Sequence, residues 1–98
     1  MKRYHGEGTY YNAGISEGAC GGWHKSSELV AAVSRQQWHG GEFCNQMLHV
    51  CHHGKCTDVQ VVDECPSCDY GSLDLSPTAF KQLAPMSEGV IDINWTFA

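Results

Sequence analysis

Two aspartates, Asp63 and Asp74, flank a close cysteine pair, Cys65 and Cys68, in the run VVDECPSCDYGSLDLSPTAF at residues 61–80. Carboxylates accept hydrogen bonds from sugar hydroxyls. A protonated acid and an ionised base about 6.5 to 9.5 Å apart can also cleave a glycosidic bond with inversion. The bland alternative is structural: both groups could cap backbone N–H groups at a strand end and a helix start. Cys65 and Cys68 have the spacing of thiol oxidoreductases or of half a zinc site. Redox motifs of that kind sit at a helix N-terminus in a βαβ setting, which the pattern here lacks.

All six cysteines, Cys20, Cys44, Cys51, Cys56, Cys65 and Cys68, fall in 98 residues. An even count in so short a chain reads as a disulfide framework made in an oxidising compartment, which predicts a secreted, extracellular protein. His49, His52 and His53 lie beside Cys51 and Cys56. A disulfide between those cysteines removes both thiolates, so the histidines read as a polar loop, and no metal or cofactor is expected. A formal net charge of −5, with Lys2, Arg3, Lys25, Arg35, Lys55 and Lys81 scattered singly, gives no basic stripe for a nucleic acid. No apolar stretch before Gly8 is long enough for a signal core or a membrane span. The expectation is a mature, soluble monomer with no membrane partner.

The elements that must position these groups are mostly strands. Thr9, Tyr10 and Tyr11 form a short aromatic and β-branched run. Residues 29–33 are continuously apolar, which suits a strand buried on both faces better than a short buried helix. Residues 45–50 and 57–62 read as an antiparallel hairpin turning at Gly54. Ser76 and Pro77 start a short helix as N-cap and first helical residue, Ala79, Phe80 and Leu83 share one face of it, and Pro85 ends it. Ile91, Ile93, Trp95 and Phe97 alternate with polar residues as a closing strand, where Trp95 and Phe97 belong to the core. The hairpin predicts the pairs Cys51–Cys56 across its loop and Cys44–Cys65 near its open end, leaving Cys20–Cys68.

Short strands, one brief helix and 11 glycines point to a closed all-β barrel. GTYYN at 8–12, GACG at 18–21, SELVAAVS at 27–34, VVDECPSC, LDLSPTAF and IDINWTF are in order the landmarks of the double-psi β-barrel superfamily. The chain resembles its single-domain expansin-like members, the loosenins, with features of the barwin and kiwellin proteins. That resemblance implies a disulfide-stapled, six-stranded double-psi β-barrel with one or two short helices, spanning residues 8–98 after an extension at residues 1–7. It also implies an open groove for a glucan chain, with Thr9 and Tyr11 on its floor and Asp63 and Asp74 as its carboxylates. Trp23, Trp38 and Tyr10 are candidate stacking surfaces, because flat aromatic rings cover the apolar faces of sugars.

The resemblance extends to family 45 endoglucanases, which implies an acid at Asp63 and a base at the position of Asn12. An amide cannot take a proton from water, so hydrolysis lacks an evident base. The expected function is therefore non-hydrolytic binding and loosening of a wall polysaccharide, a glucan or chitin. Two alternatives stand beside it: inhibition of a secreted enzyme or effector, as in kiwellins or a papain inhibitor, and weak glycan cleavage with Asp63 as acid.

Overall fold

The structure is a computed structural model that describes residues 2–15 and 17–98. Six strands, β1 (Tyr4–Tyr10), β2 (Val30–Ser34), β3 (Met47–His52), β4 (Lys55–Cys65), β5 (Leu73–Leu75) and β6 (Ile91–Phe97), close into one barrel in the order β1-β5-β2-β4-β3-β6. β1 pairs with β5, and β2 with β4, in parallel. The remaining neighbours pair antiparallel. Two short helices, α1 (Arg35–Trp38) and α2 (Pro77–Leu83), complete the regular structure together with two single 3-10 turns.

Local chemistry explains most of these elements. His53 and Gly54 both take positive φ, 49° and 83°, which gives the β3–β4 hairpin a two-residue turn whose twist matches its strands. The Ser76 hydroxyl oxygen accepts the Ala79 N–H at 3.3 Å, and its own proton goes to the Glu28 carbonyl at 2.6 Å. One side chain thus caps α2 and anchors the segment that enters β2. Every residue of β2 is buried. Ala31 and Val33 face the barrel interior with Leu48, Val50, Val61 and Trp95, while Val30 packs outside it against Ala13, Val62 and Tyr11.

Three expectations change. β1 begins at Tyr4, so residues 4–7 are part of the barrel and not an extension; Met1 lies outside the described residues. Gly6 and Gly8 break the sequence pattern, but they are where β1 runs closest to its neighbours. A Cβ at Gly6 would overlap the backbone of Gly71, and one at Gly8 would press on Ile93. The disulfides are Cys20–Cys44, Cys51–Cys56 and Cys65–Cys68. Only Cys51–Cys56 follows the predicted pairing, because β3 and β4 pair no further than Met47 opposite Gln60 and β4 then runs on beside β2 to Cys65. That carries Cys65 away from Cys44. Cys20 and Cys44 meet because Cys20 N–H bonds the Val62 carbonyl at 3.1 Å and Asn45 N–H bonds the Val61 carbonyl at 2.8 Å, which docks both segments on adjacent residues of β4.

Chain entropy makes the bridge spanning 24 residues worth about 3 kcal/mol, and the one spanning 3 residues clearly less. Urea unfolding of the Cys20→Ser/Cys44→Ser protein should show that larger loss, and Cys65→Ser/Cys68→Ser about half of it.

Candidate functional site

The strand registers align four residues in one row across the barrel wall. Thr9 of β1 stands opposite Asp74 of β5, Asp74 opposite Ala32 of β2, and Ala32 opposite Asp63 of β4. With strands about 4.8 Å apart, the two aspartate backbones are roughly 10 Å apart with only an alanine between them. A β-bulge makes this row. Between Ala31 and Ala32 the β4 partner jumps from Val61 to Asp63, so Val62 is an extra residue. Val59 and Val61 point into the core. Strict alternation would send Asp63 there too, and the extra residue re-aims it to the outer face.

The two carboxyl groups differ in environment. Asp63 Oδ1 accepts two backbone N–H groups, Ala19 at 2.8 Å and Glu64 at 2.9 Å. Asp74 Oδ1 accepts the Thr9 hydroxyl at 2.9 Å. Burial pushes the Asp74 pKa above the ordinary carboxylate range; the Thr9 hydrogen bond opposes the shift, and negative charge at Asp63 adds to it. Burial, then Asp63 and Asp74, likewise raise the Tyr11 phenol well above its usual range. Tyr11 therefore keeps its O–H as a donor beside the two acids.

Past Asp74 the surface sinks into a cavity of about 140 Å³ lined by Glu7, Thr9, Cys65, Ser67, Cys68, Asp69, Ser72 and Asp74. Glu7, Ser67, Asp69 and Ser72 are absent from the sequence expectation. Glu7 was legible: it shares the period-two face of Thr9 and Tyr11 once β1 is started at Tyr4. Ser72 accepts the Glu7 N–H at 3.0 Å, a contact between residues far apart in the chain, with no local signal.

Of the sequence candidates, Thr9, Tyr11, Asp63 and Asp74 come together, and the others do not. Tyr10 lies on the other face of β1, its ring on Phe80 at 4.8 Å and its hydroxyl donating to the Met86 carbonyl. Asn12 Oδ1 accepts Gly14 N–H at 3.0 Å and the Ser26 hydroxyl at 2.6 Å, so its amide braces a loop. Trp38 packs against the barrel core. Trp23 is 68% exposed on the loop between β1 and β2 that Asp63 and Cys20 tie down.

Of the histidines, His49 contacts Asp58 at 2.7 Å, and His52 stacks on His53 with ring centroids 3.9 Å apart. His49, Cys51 and Cys56 are the potential metal ligands that converge among the described residues, but both sulfurs are spent in a disulfide. Among the described residues no helix is long and apolar enough to cross a membrane.

A family model described as lytic transglycolase matches residues 3–95. The chain is 36% identical over 100 residues to a papain inhibitor of Streptomyces mobaraensis, covering 94% of this chain and 69% of that protein. It is 30% identical over 106 residues to an EG45-like domain containing protein of Citrus jambhiri, covering 95% of this chain and 80% of that one. Among solved structures it matches a mutant Clavibacter michiganensis expansin in complex with cellohexaose with a TM-score of 0.91 and 29% identity, covering 99% of this chain. It spans only 50% of that expansin. The Streptomyces papain inhibitor matches with a TM-score of 0.88 and 34% identity, covering 99% of this chain and 94% of that one.

The raised Asp74 pKa has a sign for stability. Between the unfolded carboxyl pKa, about 3.9, and the higher folded value, the native state binds more protons, so stability falls as pH rises through that window. Asp74→Asn should remove the loss and be more stable than wild type at pH 7, by less than about 1 kcal/mol because the group is only half-buried. Thermal unfolding of both proteins at pH 3 and pH 7 checks this, with the gap expected to close at the lower pH.

Proposed function

The chain belongs to the double-psi β-barrel family described as lytic transglycolase, and on that footing we propose that its groove binds cell-wall polysaccharide and loosens contacts between chains without cutting them. The observation that carries this reading is the cross-strand row of Thr9, Asp74, Ala32 and Asp63, with Tyr11 beside both acids. Hydroxyls and carboxyls line it, and no lysine or arginine lines the adjoining cavity. That set donates to and accepts from sugar hydroxyls and disfavours phosphate or sulfate. The expansin seen with cellohexaose supports the same substrate class. Loosening needs only a preference for separated chains over packed ones, since a ligand shifts an equilibrium through its differential affinity.

Any cleavage reaction would draw its acid from the two carboxyls of the row, Asp63 and Asp74. Asp63 Oδ1 accepts two backbone N–H groups, while burial raises the Asp74 pKa above its ordinary value. Asp74, the carboxyl whose pKa is raised, is a second candidate acid beside Asp63. The amide of Asn12 is committed to its loop and supplies no base. Three disulfides suit an extracellular setting.

A second reading, inhibition of a secreted protease, has its own observation. Ile15 and Trp23, 75% and 68% exposed, stand on a loop pinned by the Cys20–Cys44 bridge and the Asp63 hydrogen bond. A rigid aromatic and aliphatic pair of this kind suits a protein cleft, and the papain inhibitor relative supports it.

Pull-down on insoluble cellulose, chitin and peptidoglycan, with reducing sugars assayed in the same tubes, separates these readings. Binding without sugar release is expected, and Asp74→Asn should weaken it about five- to tenfold, the worth of one hydrogen bond. Sugar release abolished by Asp74→Asn would make the protein a glycan-cleaving enzyme. No binding, together with papain inhibition lost in Trp23→Ala, would establish the inhibitor reading.

A further inference from the structure

The cavity beyond Asp74 holds acids that no cation offsets. Its wall carries the carboxyls of Glu7, Asp69 and Asp74, the hydroxyls of Thr9, Ser67 and Ser72, and the Cys65–Cys68 bridge, with no lysine, arginine or histidine. Glu7 and Asp69 are exposed and Asp74 is half-buried, whereas Ser72 is only 8% exposed. The Ser72 hydroxyl accepts the Glu7 N–H, and its own proton has no acceptor among the described residues. The ion pairs among the described residues are His24–Glu28, Arg35–Glu64 and His49–Asp58, so none of the three cavity carboxyls is matched. A second cavity, of about 190 Å³ beside the β3–β4 turn, sets Glu88 among His52, His53 and Lys55. The excess of acid is thus particular to the groove cavity.

Glu7, Asp69 and Asp74 do not converge on one point as metal ligands do; among the described residues His49, Cys51 and Cys56 are the group that does. An extended ligand that carries both positive charge and hydroxyls suits them better. We propose that the cavity recognises the protonated amine of an amino sugar, so that the groove takes a free-amine polymer of the glucosamine type in preference to a neutral glucan, an inference that rests on the groove reading above. An ammonium group brings three donors to the carboxyls, and a sugar oxygen can accept the free proton of the Ser72 hydroxyl. Attraction between opposite charges is stronger in a recess than on an open surface, because less water screens it. Acetylation removes the charge, so the cavity acids separate the free amine from its acetylated form. The same field disfavours uronates.

Calorimetric titration at about pH 5.5, where ordinary carboxyls are ionised and the sugar amine is charged, compares hexamers of glucosamine, N-acetylglucosamine and glucose. Wild type should bind the glucosamine hexamer most tightly, by a margin that shrinks as salt is added. Glu7→Gln and Asp69→Asn should each cut that preference about two- to fivefold, while Glu88→Gln in the other cavity keeps it and all four proteins unfold at the same temperature. Equal affinity of wild type for the three hexamers, or a preference that Glu7→Gln and Asp69→Asn both retain, overturns amine recognition and leaves the groove standing. A wild-type protein that binds none of them overturns both. A lysine hexamer that binds as tightly as the glucosamine hexamer, with no binding of the glucose hexamer, assigns the cavity to a basic protein segment and also overturns both.

Discussion

A strand of three residues closes this barrel. β5 fills the gap between β1 and β2, pairing parallel with one and antiparallel with the other. Without it two long edges would stand open, each with unsatisfied backbone groups. Leu73 and Leu75 flank Asp74, both fully buried, so period two alone sends the aspartate outward at the centre of the wall. Barrel closure and placement of the groove acid are one event. The turn before β5 must come very close to β1, which is why Gly6 and Gly71 meet backbone to backbone.

Burying Asp74 beside a second carboxyl raises its pKa and costs stability at neutral pH, and the Thr9 hydroxyl offsets only part of that cost. Asp63 has the opposite environment, because two backbone amides hold it and it in turn holds the loop carrying Trp23. Two residues of one type thus sit in two environments, one a half-buried carboxyl with a raised pKa, the other an anchored acceptor and loop tether. Their difference comes from a bulge of one residue at Val62 and from what lies above each side chain.

Staples and aromatic contacts stabilise the rest of a chain of 98 residues, whose core is modest for want of size. The long bridge Cys20–Cys44 fixes the loop that carries the exposed Trp23, and the short Cys65–Cys68 bridge shapes the cavity wall. Tyr4 stacks on Trp95 at 4.4 Å and anchors the first strand to the last. Two of the bridges therefore shape loops beside the Asp63–Asp74 row as much as they hold the barrel.

Period and punctuation in the sequence determined the β3–β4 hairpin, the capped helix α2, the doubly buried β2 and the alternating β6, all of which depend on neighbours close in the chain. Landmark motifs marked Thr9, Tyr11, Asp63 and Asp74, which the fold brings together on one face of the barrel wall. Tertiary structure alone decided the rest. Cys20 meets Cys44 only because separate segments dock on Val61 and Val62, Glu7 joins the cavity only through Ser72, and Asn12 and Trp38 are drawn into bracing and packing. The physical reason is range: alternation and capping act over a few residues and leave a local trace, whereas barrel closure brings together groups more than sixty residues apart, such as Thr9 and Asp74 at a separation of 65.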